Sequence, residues 1–272
     1  MPRRRTSAQL RRTGDGARPR ALRLLQEVTR PTHLTDEAGG AAARSFADLH
    51  CHTAASFDSL SRPASVVRAA ASRGLTHLAI TDHDRIDGAL RARDVAPSEL
   101  TVIVGSEVRT QAGDLIGLFL ERAVPVGLPP AEAVQAIREQ GGIVGLPHPF
   151  DRFRSSGAFG RSNDELLELA GLVDYVETWN ARVMWGDGNL RAAQFAAAND
   201  LPAAAVSDAH TLLEVGVAYT IVDGRPATAA EMKAALDGAR LSTGRSSRLI
   251  RAGMPVAKLV QRLRGNRRVI AG

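Results

Sequence analysis

Cysteine is nearly missing from this 272-residue chain: Cys51 stands alone, so neither an intramolecular disulfide framework nor a thiolate zinc cluster can form. No run of about 18 or more apolar residues occurs, which excludes a spanning helix. The opening M-P-R-R-R is not followed by the apolar stretch of a signal peptide. The expectation is a reducing, cytoplasmic setting. Aromatic residues make up 4% of the chain and are scarce at both ends, so stacking platforms for single-stranded nucleic acid are not evident. Lysine is scarcer still, with Lys233 and Lys258 the only two among 35 basic residues. Alanine is abundant, so this points to coding bias rather than arginine-specific recognition. The phosphate loop G-x-x-x-x-G-K-[ST], the dinucleotide loop G-x-G-x-x-G and the nucleophile elbow G-x-S-x-G are all missing, which leaves ATP, NAD and serine-hydrolase chemistry without support.

What is present divides by charge. The net charge of +6 conceals +7 over residues 1–30, −9 over 31–244 and +8 over 245–272. An acidic body lies between two basic ends, and the total describes neither. Residues 1–44 read as a basic flexible extension with little periodicity. Residues 45–244 read as one domain, and 245–272 as a basic amphipathic tail interrupted by Gly253 and Pro255.

From Phe46 onward, short apolar runs alternate with helical patterns. Strands are expected at 46–50, 77–81, 101–105, 115–120, 142–146, 172–178, 203–207 and 217–222. Helices are expected at 63–73, 130–140, 163–170 and 189–198. The first two begin at Pro63 and Pro130, and the first three are followed by Gly74, Gly141 and Gly171. Such alternation means parallel β/α units, and seven or eight of them within about 180 residues mean a compact α/β barrel.

Five of the seven histidines fall at expected strand ends: His50 and His52 in D-L-H-C-H-T, His83 in A-I-T-D-H-D, His148 in G-L-P-H-P-F and His210 in V-S-D-A-H-T. In parallel β/α folds these ends share one face, where sites are built. Joined by Asp58, Asp82, Glu107, Asp114 and Asp208, they form a nitrogen and oxygen ligand set large enough for two or three divalent ions. In H-C-H the two imidazoles, two apart on a strand, point the same way, and Cys51 turns to the other side as a buried small hydrophobe. A lone strand-end histidine is usually a hydrogen-bonded loop residue, but five of them beside carboxylates favour metal. His77 and His33 fall outside the pattern.

The strings D-L-H-C-H-T, A-I-T-D-H-D, G-S-E-V, P-H-P-F-D-R-F-R and S-D-A-H, in order from about Phe46 to Val222, resemble the polymerase and histidinol phosphatase (PHP) family of metal-dependent phosphoesterases. The resemblance implies a distorted seven-stranded β/α barrel with two or three ions, commonly manganese, zinc or iron. It implies that His50, His52, Glu107 and Asp208 hold one ion, and that Glu107 bridges to a second held also by His148. Asp58, His83 and His210 would hold the third. Where relatives often carry a histidine after the bridging glutamate, this chain has T-Q-A-G-D-L-I-G-L-F-L, and Asp114 is the nearest replacement. Asp82, beside a ligand histidine, is expected to orient a ring or accept a proton.

Paired ions can lower the pKa of a water and stabilise the entering and leaving oxygens of in-line displacement at phosphorus. The expected reaction is therefore hydrolysis of a small phosphomonoester or nucleotide phosphate by a metal-activated hydroxide. Arg154 and Arg182 are the expected phosphate clamps because forked guanidinium groups suit phosphate oxygens. Arg152 lies near the first, and Glu177 and Asn180 sit at the same mouth as the second. One alternative is a 5′–3′ exonuclease on RNA or DNA ends with the same core. Another is a metal-stabilised interaction module without catalysis. The basic ends fit solvated tails, nucleic-acid tethering or attachment of 248–264 to anionic lipid.

Overall fold

The structure, a computed structural model, describes residues 43–151, 161–183, 186–247, 249–250 and 253–268. Arg152, Arg154 and nearly all of the expected extension 1–44 lie outside these residues. Strands β1 (Arg44–Asp48), β2 (His77–Ile80), β3 (Thr101–Thr110), β4 (Gly113–Leu118), β5 (Ile143–Leu146), β6 (Tyr175–Asn180), β7 (Ala203–Val206), β8 (Tyr219–Asp223) and β9 (Arg240–Ser242) form one sheet. Their order is β7-β6-β5-β4-β3-β2-β1-β8-β9. Beyond β1 and β7 the chain pairs again: Asp208 N–H donates to the His50 carbonyl at 2.9 Å, and His52 N–H to the Ala209 carbonyl at 2.8 Å. These bonds bring the first and seventh strands together and nearly close the sheet into a mixed α/β barrel. The joint lies at the strand ends that carry the histidines.

Helices α1 (Pro63–Ser72), α2 (Asp87–Arg93), α3 (Pro130–Arg138), α4 (Asn163–Leu172), α5 (Gly188–Ala198), α6 (Ala229–Leu236) and α7 (Met254–Leu263) complete the chain. Proline at the start of α1 and α3 lacks an N–H that the first turn would leave unpaired anyway. Ser162 with Glu165 and Thr228 with Glu231 form capping boxes on α4 and α6. Side chains alternate between two cores. Leu78, Ile80, Val104 and Val176 pack with α1 to α5 residues such as Val66, Ala89, Ile137 and Phe195. Ala79, Ile103 and Tyr175 pack in the other core with Met232 and Leu236 of α6.

Two expectations need correction. Strands 101–105 and 115–120 are not separate parallel units but an antiparallel hairpin, with Glu107 opposite Ile116. The link between them is too short for a helix, and Gly113 takes a φ of 105° at its turn. The last expected strand also runs antiparallel to β1. Helices α2 and α6 were not anticipated. The former has only seven residues and lacks a side-chain cap.

Gly145 pairs with Tyr175 across β5 and β6, and a Cβ at that position would lie 2.2 Å from Tyr175 Cζ. Gly145→Ala is therefore expected to destabilise the barrel by about 1–3 kcal/mol through overpacking. Thermal unfolding should show a midpoint drop of about 2–4 °C per kcal/mol, and an unchanged midpoint would contradict the packing described.

Candidate metal centre

β1 ends at Asp48, and the next residues carry His50 and His52 into the closure with β7. Their Nε2 atoms lie 2.9 Å apart. His50 Nδ1 is 2.7 Å from Glu177 Oε1 and His52 Nδ1 is 3.1 Å from Ser56 Oγ. With the Nδ1 protons assigned to those acceptors, both Nε2 atoms present lone pairs to the same point. Glu107 Oε2 lies 3.5 Å from each of them. Lone pairs and a carboxylate facing one another without a proton between them suit a cation.

Glu107 reaches further. Its Oε2 lies 3.1 Å from His83 Nδ1 and its Oε1 lies 3.2 Å from His148 Nε2. On the other side, Asp58 Oδ2 faces His210 Nε2 at 3.2 Å and His83 Nε2 at 3.4 Å. The buried Asp58 Oδ1 has no hydrogen-bond partner. Asp208 Oδ1 stands 3.5 Å from His52 Nε2. Three groups bring one ligand atom from each member within 4.8 Å of one another: His52, Asp58, His83 and His210; His50, His52 and Glu107; and His83, Glu107 and Asp114. The residues present therefore fit two or more divalent ions on three observations: converging lone pairs, a buried oxygen without a partner, and a carboxylate shared among four imidazoles.

Electrostatics give the same account. Burial disfavours a charged His83 ring, yet the Glu107 and Asp58 carboxylates push it up to about 9. Burial likewise opposes charge on His50, and Glu177 and Asp208 still hold it well above the ordinary histidine range. In His52, burial and the neighbouring His210 drive the ring well below that range. Without a cation the carboxylates thus draw protons onto imidazoles, and metal binding would release them. Burial also raises Asp114, with repulsion from Glu107 adding to it.

The backbone bends to make this cluster. His148 has a φ of 29° and Asp208 a φ of 52°, left-handed values that cost a side-chain-bearing residue about 1–3 kcal/mol and collect at functional sites. Glycine would relieve the strain but remove the ligand.

Glu177 and Asn180 lie behind the histidines, fully buried. Glu177 Oε2 accepts the His148 N–H at 3.0 Å and Asn180 Nδ2 at 2.9 Å, and the same Nδ2 donates to Asp208 Oδ2 at 3.0 Å. Asp82 holds Thr53, accepting its N–H and its O–H at 2.6 Å each. Burial pushes that carboxyl up to about 6. Arg182 lines the cavity, but its Nη1 donates to Glu214 Oε2 at 3.4 Å and its Nη2 meets Met254 Sδ. Asp114 Oδ1 accepts Arg268 Nη2 at 2.6 Å.

Sequence reasoning missed the wall opposite the histidines. Met254, Pro255, Lys258 and Arg268 line the same cavity of about 560 Å³ as Glu107 and His148. Helix α7 supplies three of them, so over its described residues the C-terminal segment packs against the body. The sequence carries no signal for this wall beyond the basic charge of 245–272.

Two family models match the chain: the PHP domain over residues 48–170 and the PHP-associated model over 186–240. A protein of Methanocaldococcus jannaschii is 36% identical over 146 residues, which cover 50% of this chain and 81% of that protein. A two-domain Bacteroides vulgatus protein containing a predicted PHP-like metal-dependent phosphoesterase shares the fold at TM-score 0.65 and 18% identity, covering 79% of this chain and 69% of that one. A lesion-specific endonuclease from Pyrococcus furiosus does so at TM-score 0.54 and 16% identity, covering 73% of this chain and 58% of its own. No described helix is long and apolar enough to cross a membrane. With the barrel, the ligand cluster and these matches in agreement, the chain belongs to the PHP family of metal-dependent phosphoesterases.

Proposed function

We propose that this protein hydrolyses a small phosphomonoester or nucleotide phosphate. The observation that carries the proposal is the position of Glu107, one carboxylate within 3.5 Å of His50, His52, His83 and His148. A carboxylate so shared suits a bridge between two ions. His50, His52 and Asp208 would hold one ion, His148 the other, and Asp58, His83 and His210 a third. Bound ions would supply Lewis acidity, lowering the pKa of a water and neutralising phosphoryl charge. The chain's own residues do the rest. Glu177 and Asn180 orient His50 and Asp208, and Asp82 fixes Thr53 at the start of the loop that carries Asp58. The cavity of about 560 Å³ over these residues has room for a small ester.

A second reading, a 5′–3′ exonuclease on RNA or DNA ends, draws support from the likeness to a lesion-specific endonuclease and from the basic side chains at the mouth. Screening the manganese-loaded protein separates the two. The expected result is turnover of p-nitrophenyl phosphate and nucleoside phosphates that disappears on chelation. Turnover of short oligonucleotides with none of any small ester would overturn the proposal in favour of the nuclease.

A further inference from the structure

We infer that Lys258 and Arg268, carried by the C-terminal segment 254–268, are the substrate-binding cations of this site and take the phosphate oxygens that bound ions would leave free. The inference deepens the phosphoesterase reading and rests on it for the class of ligand.

The cavity over the metal ligands is strongly acidic, with Asp58, Glu107, Asp114 and Asp208 in its lining. A phosphate dianion entering it needs fixed positive charge beyond the ions. The described lining holds three such side chains: Arg182, Lys258 and Arg268. Arg182 is only 2% exposed and its guanidinium is engaged by Glu214 and Met254, so it braces the wall beneath the tail helix. The other two are more open: Lys258 is exposed, and Arg268, although paired with Asp84 and Asp114, keeps 19% of its side chain exposed. Phe57 links them to the ligands: its ring lies 4.8 Å from that of His83, with Lys258 Nζ 5.5 Å and Arg268 Cζ 5.9 Å from its centroid. Both cations thus flank one aromatic ring that itself rests on a candidate ligand.

The segment that carries them is also held in place. Gln261, 2% exposed, donates from Nε2 to the carbonyls of Ala54, Ser56 and Ser59 at 2.8, 2.9 and 2.6 Å. Asn266 Nδ2 donates to the Ala55 carbonyl at 2.9 Å. These amides clamp the segment onto the loop that presents Phe57 and Asp58. Arg268 is aimed by Asp84 at 3.3 Å and Asp114 at 2.6 Å. A preorganised cation binds anions without a further ordering cost. A solvated tail would not show such buried amide contacts.

The test uses the full chain loaded with manganese and measures inorganic phosphate binding by calorimetry beside p-nitrophenyl phosphate kinetics and metal content. Lys258→Ala and Arg268→Ala are each expected to weaken phosphate binding and raise KM about 10-fold, the scale of one charge-assisted contact, with kcat within about 2-fold and manganese content unchanged. Lys258→Arg should recover most of the affinity. Arg264→Ala, an exposed charge on the same segment, should behave as the parent and so exclude a general field effect. Parent-like phosphate affinity in both alanine variants, or a parent that binds no phosphate, would overturn the inference. A parent that binds phosphate in a Lys258-dependent manner yet hydrolyses no small ester would sink the phosphomonoesterase reading alone.

Discussion

Glu107→Gln is expected to lower metal-dependent kcat/KM by well over about 100-fold, beyond the about 10–100-fold that follows loss of a partner lying outside the ligands. The substitution keeps the volume and one oxygen but removes the charge shared by four imidazoles. It also places an amide N–H where an acceptor is required, so a protonated histidine facing it must turn away or give up its proton, and the ion side loses one oxygen ligand. Activity alone would not separate lost metal from lost fold, and thermal unfolding does. A ligand present at about 100 times its Kd stabilises the native state by about 2.7 kcal/mol, so manganese should raise the parent's midpoint and leave the variant's unmoved. A variant that keeps both its manganese-dependent stabilisation and its turnover would remove Glu107 from the centre.

Glu177→Gln is expected to weaken manganese binding by about 10–100-fold although Glu177 would touch no ion. Its two oxygens receive His50 Nδ1, the His148 N–H and the Asn180 amide. Glutamine offers one oxygen and an NH2 group, so at least one of these donors meets another donor in a fully buried place, and an unsatisfied buried donor costs about 1–3 kcal/mol. If His50 gives way, its Nδ1 loses its acceptor and the ring is free to carry its proton on Nε2, the atom facing Glu107. Excess manganese should restore much of the rate, with kcat less affected than the metal requirement. Unaltered manganese affinity by calorimetry would show that Glu177 does not orient the ligand.

The ligand side of this site is readable from the chain because its residues fall at strand ends, where periodicity and topology place them without knowledge of side-chain packing. His50, His52, His83, His148 and His210 each follow a short apolar run, and a parallel sheet sends such positions to one rim. Glu107 is marked by motif rather than by period: it lies inside a ten-residue strand whose second half pairs antiparallel with the strand that begins at Gly113, a hairpin that a β/α alternation hides. The cation side was not readable. Lys258 and Arg268 reach the cavity through Gln261 and Asn266, and amide side chains bonding to backbone carbonyls leave no periodic trace. The charge of 245–272 is visible in the sequence, but whether that charge faces solvent or a pocket is decided by tertiary contact alone. The Arg182 expectation shows the converse: position at a strand end brought it to the cavity, and its engagement with Glu214 could not be foreseen.

The bond from Gln261 to the Ala54 carbonyl joins residues 207 apart in the chain. The barrel joint from His52 to Ala209 spans nearly as much chain, and the cost of closing a loop rises only slowly with its length, by about 0.6 kcal/mol per doubling. Barrel closure and docking of the far segment are therefore comparable in entropic cost, and the loop bearing Asp58 is held by both: its start by His52 on Ala209, its middle by Gln261 on Ala54, Ser56 and Ser59. One short segment, remote in the chain, thus shapes the ligand loop and the cation wall of the same cavity together.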